Sequence, residues 1–177
     1  QSSAFNQILQ NTLIISFMKY VLLFPAFVIF ALLLNELRAN SFRKYVQVVS
    51  YLPHFLSWVV IAGIWKSFLA PNADGALNLI RSWFGLAPVD LLTSKGAIRW
   101  VLFFCEGWRS IGWDSIIFLS ALSGLDMELY EAARIDGAGR WKQTIHITLP
   151  GILPTIVIML ILEAGKVLNI GFEKVYA

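Results

Sequence analysis

Charge is scarce in this chain. Only 14% of its 177 residues are Asp, Glu, Lys or Arg, where a soluble domain carries nearer a quarter. Cysteine is almost absent. Cys105 stands alone in an apolar run, which excludes an internal disulfide and a CxxC or Cys/His metal cluster, and it reads as a small packing residue. The two histidines, His54 and His146, are far apart with no ligand spacing and read as structural. No metal site is expected. There is no G-x-x-x-x-G-K-[ST] string, so no P-loop holds ATP phosphates here. No nucleophile–base pair or metal triad stands at a useful spacing, which leaves no catalytic residue to name. The net charge of +3 is small and the basic residues are scattered, so no stripe tracks a phosphate backbone and no nucleic-acid partner is expected. A charged n-region with a cleavage site is missing from the start. The chain begins at Gln1 and stops at Ala177 in an aromatic-rich stretch, and reads as an internal piece, incomplete at both ends, of a longer protein.

What the chain has in excess is apolar side chain: 58% of residues are hydrophobic and the mean hydropathy is +0.69. One small core cannot bury all of it, so lipid is the expected solvent for much of the surface. The fold class that follows is an all-α, multi-pass membrane protein with four spans. The first covers about 11–34, with Lys19 snorkelling to the headgroups and Pro25 kinking the helix. The second covers about 51–70, with Pro53 in its first turn. The third covers about 99–122. The fourth covers about 150–169, with Pro154 in its first turn; its uncharged stretch, 151–162, is short for a crossing, so Glu163 and Lys166 lie within or at the edge of the membrane.

Between the spans lie connections at 35–50, 71–98 and 123–149. Arg38, Arg43 and Lys44 in the first, and Arg134, Arg140 and Lys142 in the third, favour the cytoplasmic side for both by a narrow margin, since Arg81 and Lys95 sit in the loop between. That middle loop, 71–98, is then external. It predicts a short helix capped by Asp74, with Leu77, Ile80 and Phe84 on one side, either lying on the membrane surface or docking an external partner.

The segment 123–149 is polar but helical in pattern. Ser123-Gly124-Leu125-Asp126 fits a capping box, opening a helix that runs through Asp136, and Gly137 supplies the backbone freedom to stop it. A second short helix over about 140–147 leads to Leu149-Pro150 and back into lipid. Leu129, Ala132 and Ala133 share one face of the first helix, and Tyr130 and Glu131 reach sideways. Physics alone gives a helical hairpin, either lying against its own membrane domain or gripped by another protein.

Two spans carry charge where lipid penalises it. Glu106, Arg109 and Trp113 share a face of the third span, with Asp114 beside it, and Glu106 and Arg109 stand at pairing distance along a helix. Glu163 and Lys166 repeat that spacing on the fourth, with Asn169 one turn further. A charge at the bilayer centre costs roughly 2.5–3.5 kcal/mol, so these groups face protein or water. Two readings remain open: a polar pathway in which Trp108 and Trp113 stack on sugar rings, or structural ion pairs between packed helices.

The run Glu131-Ala132-Ala133, with Gly137 six residues after Glu131 and the closing Ile147-x-Leu149-Pro150, resembles the EAA motif of permease subunits in binding-protein-dependent ABC importers. The fuller string from Leu129 to Ala138 is similar to the sugar and oligosaccharide branch, the maltose permeases among them. Asn11-Thr12-Leu13-Ile14-Ile15, Asn35-Glu36-Leu37 and Tyr51-Leu52-Pro53-His54-Phe55 resemble a subgroup that takes up complex oligosaccharides. The resemblance implies a single permease domain over 1–177 of the type I importer fold, in the plasma membrane of a bacterium. It implies that 123–149 is a cytoplasmic coupling segment. Tyr130, Glu131, Ala132, Ala133, Asp136, Gly137, Ala138 and Pro150 would couple it to an ATPase: Glu131 by polar contacts, the alanines by close docking, Gly137 by making the turn. The implied partners are two ATP-binding cassette subunits, which use the ATP and Mg, a second similar permease, an extracytoplasmic solute-binding protein, lipid, and a sugar or oligosaccharide. The chain itself would bind no cofactor and catalyse no reaction. A permease for a non-sugar solute, a membrane scaffold and a membrane-embedded enzyme are the alternatives.

Overall fold

The computed structural model describes residues 14–165 apart from 38, 72–74 and 95, and within them all regular structure is helical. The first helix, α1, spans Ile14–Glu36. It contains one turn of π-helix, Lys19–Leu23, directly ahead of Pro25. A proline offers no N–H to the turn before it and crowds that turn's carbonyl, and the wider π turn takes up the mismatch. The same device recurs in the last helix, α7, Arg140–Ala164, where the π turn Thr144–Thr148 precedes Pro150. This corrects the expected boundaries. The short helix expected over 140–147 and the start of the span expected at 150–169 are one continuous helix as far as Ala164, so Pro154 lies in its interior rather than its first turn; 166–169 lie outside the described residues. The expected start of the first span at Asn11 lies outside the described residues.

The second span is not a single helix over 51–70. Helix α2, Asn40–Phe55, ends in a 3-10 turn, Leu52–Phe55, and helix α3, Trp58–Phe68, leaves it at 104°. Pro53 closes the earlier helix instead of opening a new one. Ser57 restarts the chain, its backbone extended and its hydroxyl accepting from the Val60 N–H at 3.3 Å. The expected connection 35–50 is therefore mostly helix, and Arg43 is carried on α2.

Helix α4, Ala76–Trp83, forms in the middle loop, with Gly75 at its N-cap; Asp74, the expected cap, lies outside the described residues. Leu77 packs inward as expected, but Ile80 is exposed and Phe84 follows the helix at 75% exposure. The buried anchor is Asn78. Its amide donates to the carbonyls of Ala70 and Val89 and accepts from the Val89 N–H at 2.9 Å, which pins both ends of the loop.

Helix α5, Ala97–Ser123, is the axis of the fold. At about 40 Å it outspans a hydrocarbon core. By length and composition α1 and α7 can cross a membrane, and the bent α2–α3 pair makes a third candidate. Helix α5 has the length, but Glu106, Arg109 and Asp114 in its middle keep it out of that apolar class. The main core joins Leu23, Phe27 and Leu34 of α1 to Phe118 and Leu122 of α5 and Ile152 of α7. Phe24 meets Phe118 edge-on, ring centroids 6.0 Å apart. A second core joins Ile61 and Leu69 of α3 to Val101 and Cys105 of α5. Where α5 crosses α2, Gly112 lies so close to the Ser50 backbone that a Cβ would collide with its carbonyl. A small residue there lets the two backbones touch.

Candidate functional site

On one face of α5, Glu106 points toward α1 and α7. It does not pair with Arg109, as the spacing suggested. Its carboxylate takes the Lys19 ammonium at 3.1 Å, and Glu163 of α7 approaches the same ammonium at 3.9 Å. Lys19 therefore does not snorkel to the headgroups: three helices converge on one cation. Asp114 adds its charge to the field at Lys19. Lys166 and Asn169 lie outside the described residues.

One turn further along the same side, α5 meets the α2–α3 break. Arg109 donates an N–H to the His54 carbonyl at 3.2 Å. Its guanidinium lies over the Trp58 ring, 4.9 Å from the centroid. The His54 ring stacks on Trp113, centroids 4.3 Å apart and planes 6° off parallel, and Phe55 meets Trp113 edge-on. Trp108 meets Trp65 of α3 in the same manner. Trp108 and Trp113 both keep 40% of their surface open. The break itself supplies the carbonyl and aromatic rings that hold Arg109.

Sequence reasoning placed Glu106, Trp108, Arg109, Trp113, Asp114 and Glu163 near one another but missed Lys19, His54, Trp58 and Trp65. The last three belong to a segment read as one straight helix. Their signal was the cluster of ring-bearing residues around Pro53.

At the far end of α5 the polar hairpin forms. Its first helix, α6, Met127–Ile135, is capped by Asp126, whose carboxylate accepts from the Glu128 N–H at 2.9 Å. Ser123, the expected cap, is still inside α5 and donates its hydroxyl to the Leu119 carbonyl. Gly137 ends α6 as expected, two residues past its last helical position. With φ at +76°, it adopts a conformation that glycine enters freely. Gly137 N–H donates to Arg134 and Ala138 N–H to Ala133, the paired bonds of a Schellman motif. The Tyr130 hydroxyl faces inward, 2.9 Å from that of Thr148, bracing α6 on α7. Gln143 donates to the Ala138 carbonyl at 2.8 Å. Arg140 pairs with Glu36 at 3.2 Å, tying the hairpin to the end of α1. A cleft of about 690 Å³ opens there, lined by Glu36, Arg43, Tyr130, Arg134 and Arg140 among others.

The outer face of the hairpin presents Glu131, Ala132, Asp136 and Gly137 to the surroundings, with Pro150 exposed beyond. Leu129 is exposed, Ile135 is 87% exposed and Trp141 76%. So much open apolar surface on a braced support marks a contact surface. At the opposite end of the fold, the middle loop is tightened by Asp90. The Thr93 hydroxyl, helped by the Thr93 and Leu92 N–H groups, holds its carboxyl below the usual carboxylate range.

Comparison with known proteins matches residues 24–171 to the family described as binding-protein-dependent transport system inner membrane component. The chain is 42% identical over 170 residues to a polygalacturonan/rhamnogalacturonan transport system permease protein of Bacillus subtilis (strain 168), covering 96% of this chain and 52% of that protein. It is similar in structure, with a TM-score of 0.94 and 40% identity, to a chain in a bacterial ABC transporter involved in import of the acidic polysaccharide alginate; the match covers 98% of this chain and 60% of that one. A second alginate transporter structure, in complex with a pentasaccharide-bound periplasmic protein, matches with a TM-score of 0.89 at 40% identity over 93% of this chain and 57% of that one. The chain spans about half the length of the curated relative it matches.

Proposed function

The chain belongs to the family of binding-protein-dependent transport system inner membrane components, and from that premise we propose that it is part of a permease subunit in an ATP-driven oligosaccharide importer. A solute-binding protein delivers the sugar on the side of the middle loop. A second, similar permease completes the pathway, and two ATPase subunits drive it from the hairpin side, which faces the cytoplasm. ATP and Mg belong to those subunits; this chain binds no nucleotide and makes or breaks no covalent bond. The cargo is an oligosaccharide, in keeping with the relatives named for polygalacturonan and alginate transport.

The hairpin is the observation that carries this reading. It is braced from within by the Tyr130–Thr148 and Arg140–Glu36 contacts, while Leu129, Glu131, Ala132 and Ile135 face outward. A surface that is rigid behind and apolar in front suits the transfer of a partner's movement. Glu131 and Asp136 offer polar contacts at its rim, Ala132 and Ala133 allow close approach, and Gly137 with Ala138 sets the turn. Pro150 lies at the root of α7. As the ATPases close on ATP, the hairpin follows and the helices turn from facing inward to facing outward.

The test is Glu131→Lys in the complete transporter reconstituted with its binding protein. Membrane insertion and assembly are expected to be intact, with ATP-driven uptake lowered at least about tenfold, the effect of turning a charged contact into a repulsive one. Unchanged uptake in vesicles would remove the coupling role.

A further inference from the structure

Lys19 and Arg109 are both cations set among apolar helices, and their surroundings differ in kind. Lys19 has two carboxylates within 4.0 Å, Glu106 and Glu163. Arg109 has none within that distance among the described residues. A guanidinium carries five N–H groups. Among the described residues, the hydrogen bond from Arg109 to the His54 carbonyl uses one of them, and its buried Nε meets no partner. Taking a charge out of water is expensive unless an opposite charge repays it. Among the described residues, the Trp58 ring and one carbonyl orient this guanidinium with no carboxylate paired to it. Beside it stand two half-open indoles, Trp108 and Trp113, and Trp113 is held flat by the His54 stack. A planar cation fork next to fixed ring faces suits a ligand with a flat apolar ring face and a carboxylate on that same ring.

We infer that Arg109, held at the α2–α3 break, is a specificity-determining residue that binds the carboxylate of a uronic-acid unit while Trp113 stacks on the sugar ring. The inference rests on the proposed importer reading and adds to it the chemical class of the unit recognised and the residue that recognises it. Glu106 lies one turn away on α5, and its carboxylate is held toward Lys19 at 3.1 Å. A carboxylate taken by two parallel N–H groups is a geometry that a lysine at this position could imitate only in part.

The complete transporter in lipid nanodiscs, without its binding protein, is titrated with a galacturonate trimer and with the corresponding neutral galactose trimer. The assembled wild type is expected to bind the acidic trimer roughly ten- to a hundredfold more tightly, the worth of a charge-assisted contact. Arg109→Gln should bring the two affinities together by weakening only the acidic one, and Arg109→Lys should keep part of the preference. ATP-driven uptake of both trimers is measured alongside in proteoliposomes supplied with the binding protein. No preference in the wild type, or an equal loss for both trimers in Arg109→Gln, overturns the inference and makes Arg109 a clamp for the break. Uptake of the neutral trimer without such a preference sinks the inference but leaves the importer standing. Uptake of neither trimer removes the importer reading itself.

Discussion

On the face of α5 that meets α1 and α7, Glu106 has a cation at 3.1 Å. One turn along the same side, where α5 meets the α2–α3 break, Arg109 has a carbonyl and an indole ring and, among the described residues, no carboxylate within 4.0 Å. The first face is closed. Its one cation, Lys19 of α1, is shared by Glu106 of α5 and Glu163 of α7, and the large core of Leu23, Phe27 and Phe118 continues from them. The second is open, with indoles exposed by two-fifths of their surface. Intramembrane charge has two usual purposes, fastening packed helices and meeting a ligand; the Lys19 cluster fits the first, and the proposal for Arg109 assigns it the second.

The difference can be attacked at three points. The largest expected effect is at the crossing that holds the second face in place. In Gly112→Leu the new side chain has to displace the Ser50 backbone. Overpacking of this kind costs about 1–3 kcal/mol and often more where backbone must move, so the level of membrane-inserted protein should fall sharply. A normal level would show that α2 yields easily. Next comes Lys19→Met, which takes from Glu106 and Glu163 the cation they share. Lys19 is about a third exposed, so the loss should be moderate, about 2–3 kcal/mol, read as a lower thermal midpoint of the purified transporter. If Arg109→Gln lowers the midpoint as much, both cations are fasteners and the distinction between the faces disappears. The smallest stability effect is expected for Trp113→Ala. Its ring contacts with His54 and Phe55 are worth about 1 kcal/mol, and uptake should fall far more than the midpoint does. Parallel losses would assign that ring to packing alone.

These two faces were not equally legible in the sequence. The third span was within two residues of α5 at each end, because one long apolar run bounded by polar residues admits few other readings. Gly137 was legible for a local reason: a glycine following a helical pattern has one common use. The break at Leu56 and Ser57 was hidden because Pro53 has two meanings, opening a helix or closing one, and only the packing of α2 on α5 selects between them. Lys19 was misread because its partner is 87 residues away, and spacing along a helix reveals only neighbours three or four residues apart. Asn78 gave no signal, since a lone asparagine in a loop looks the same whether it binds two carbonyls or water.

Helix α7 carries one more consequence. It is an unbroken rod from Arg140 to Ala164, and Ile152, wholly buried, is where the core grips it. Arg140 lies about 18 Å before that grip and Ala164 about 18 Å beyond it. Contacts to α1 lie at both ends of the rod, Arg140 with Glu36 and Glu163 with Lys19. One rigid element thus joins the exposed Trp141 at the hairpin to Glu163 in the charge cluster, so neither end can shift without straining the hold on the other.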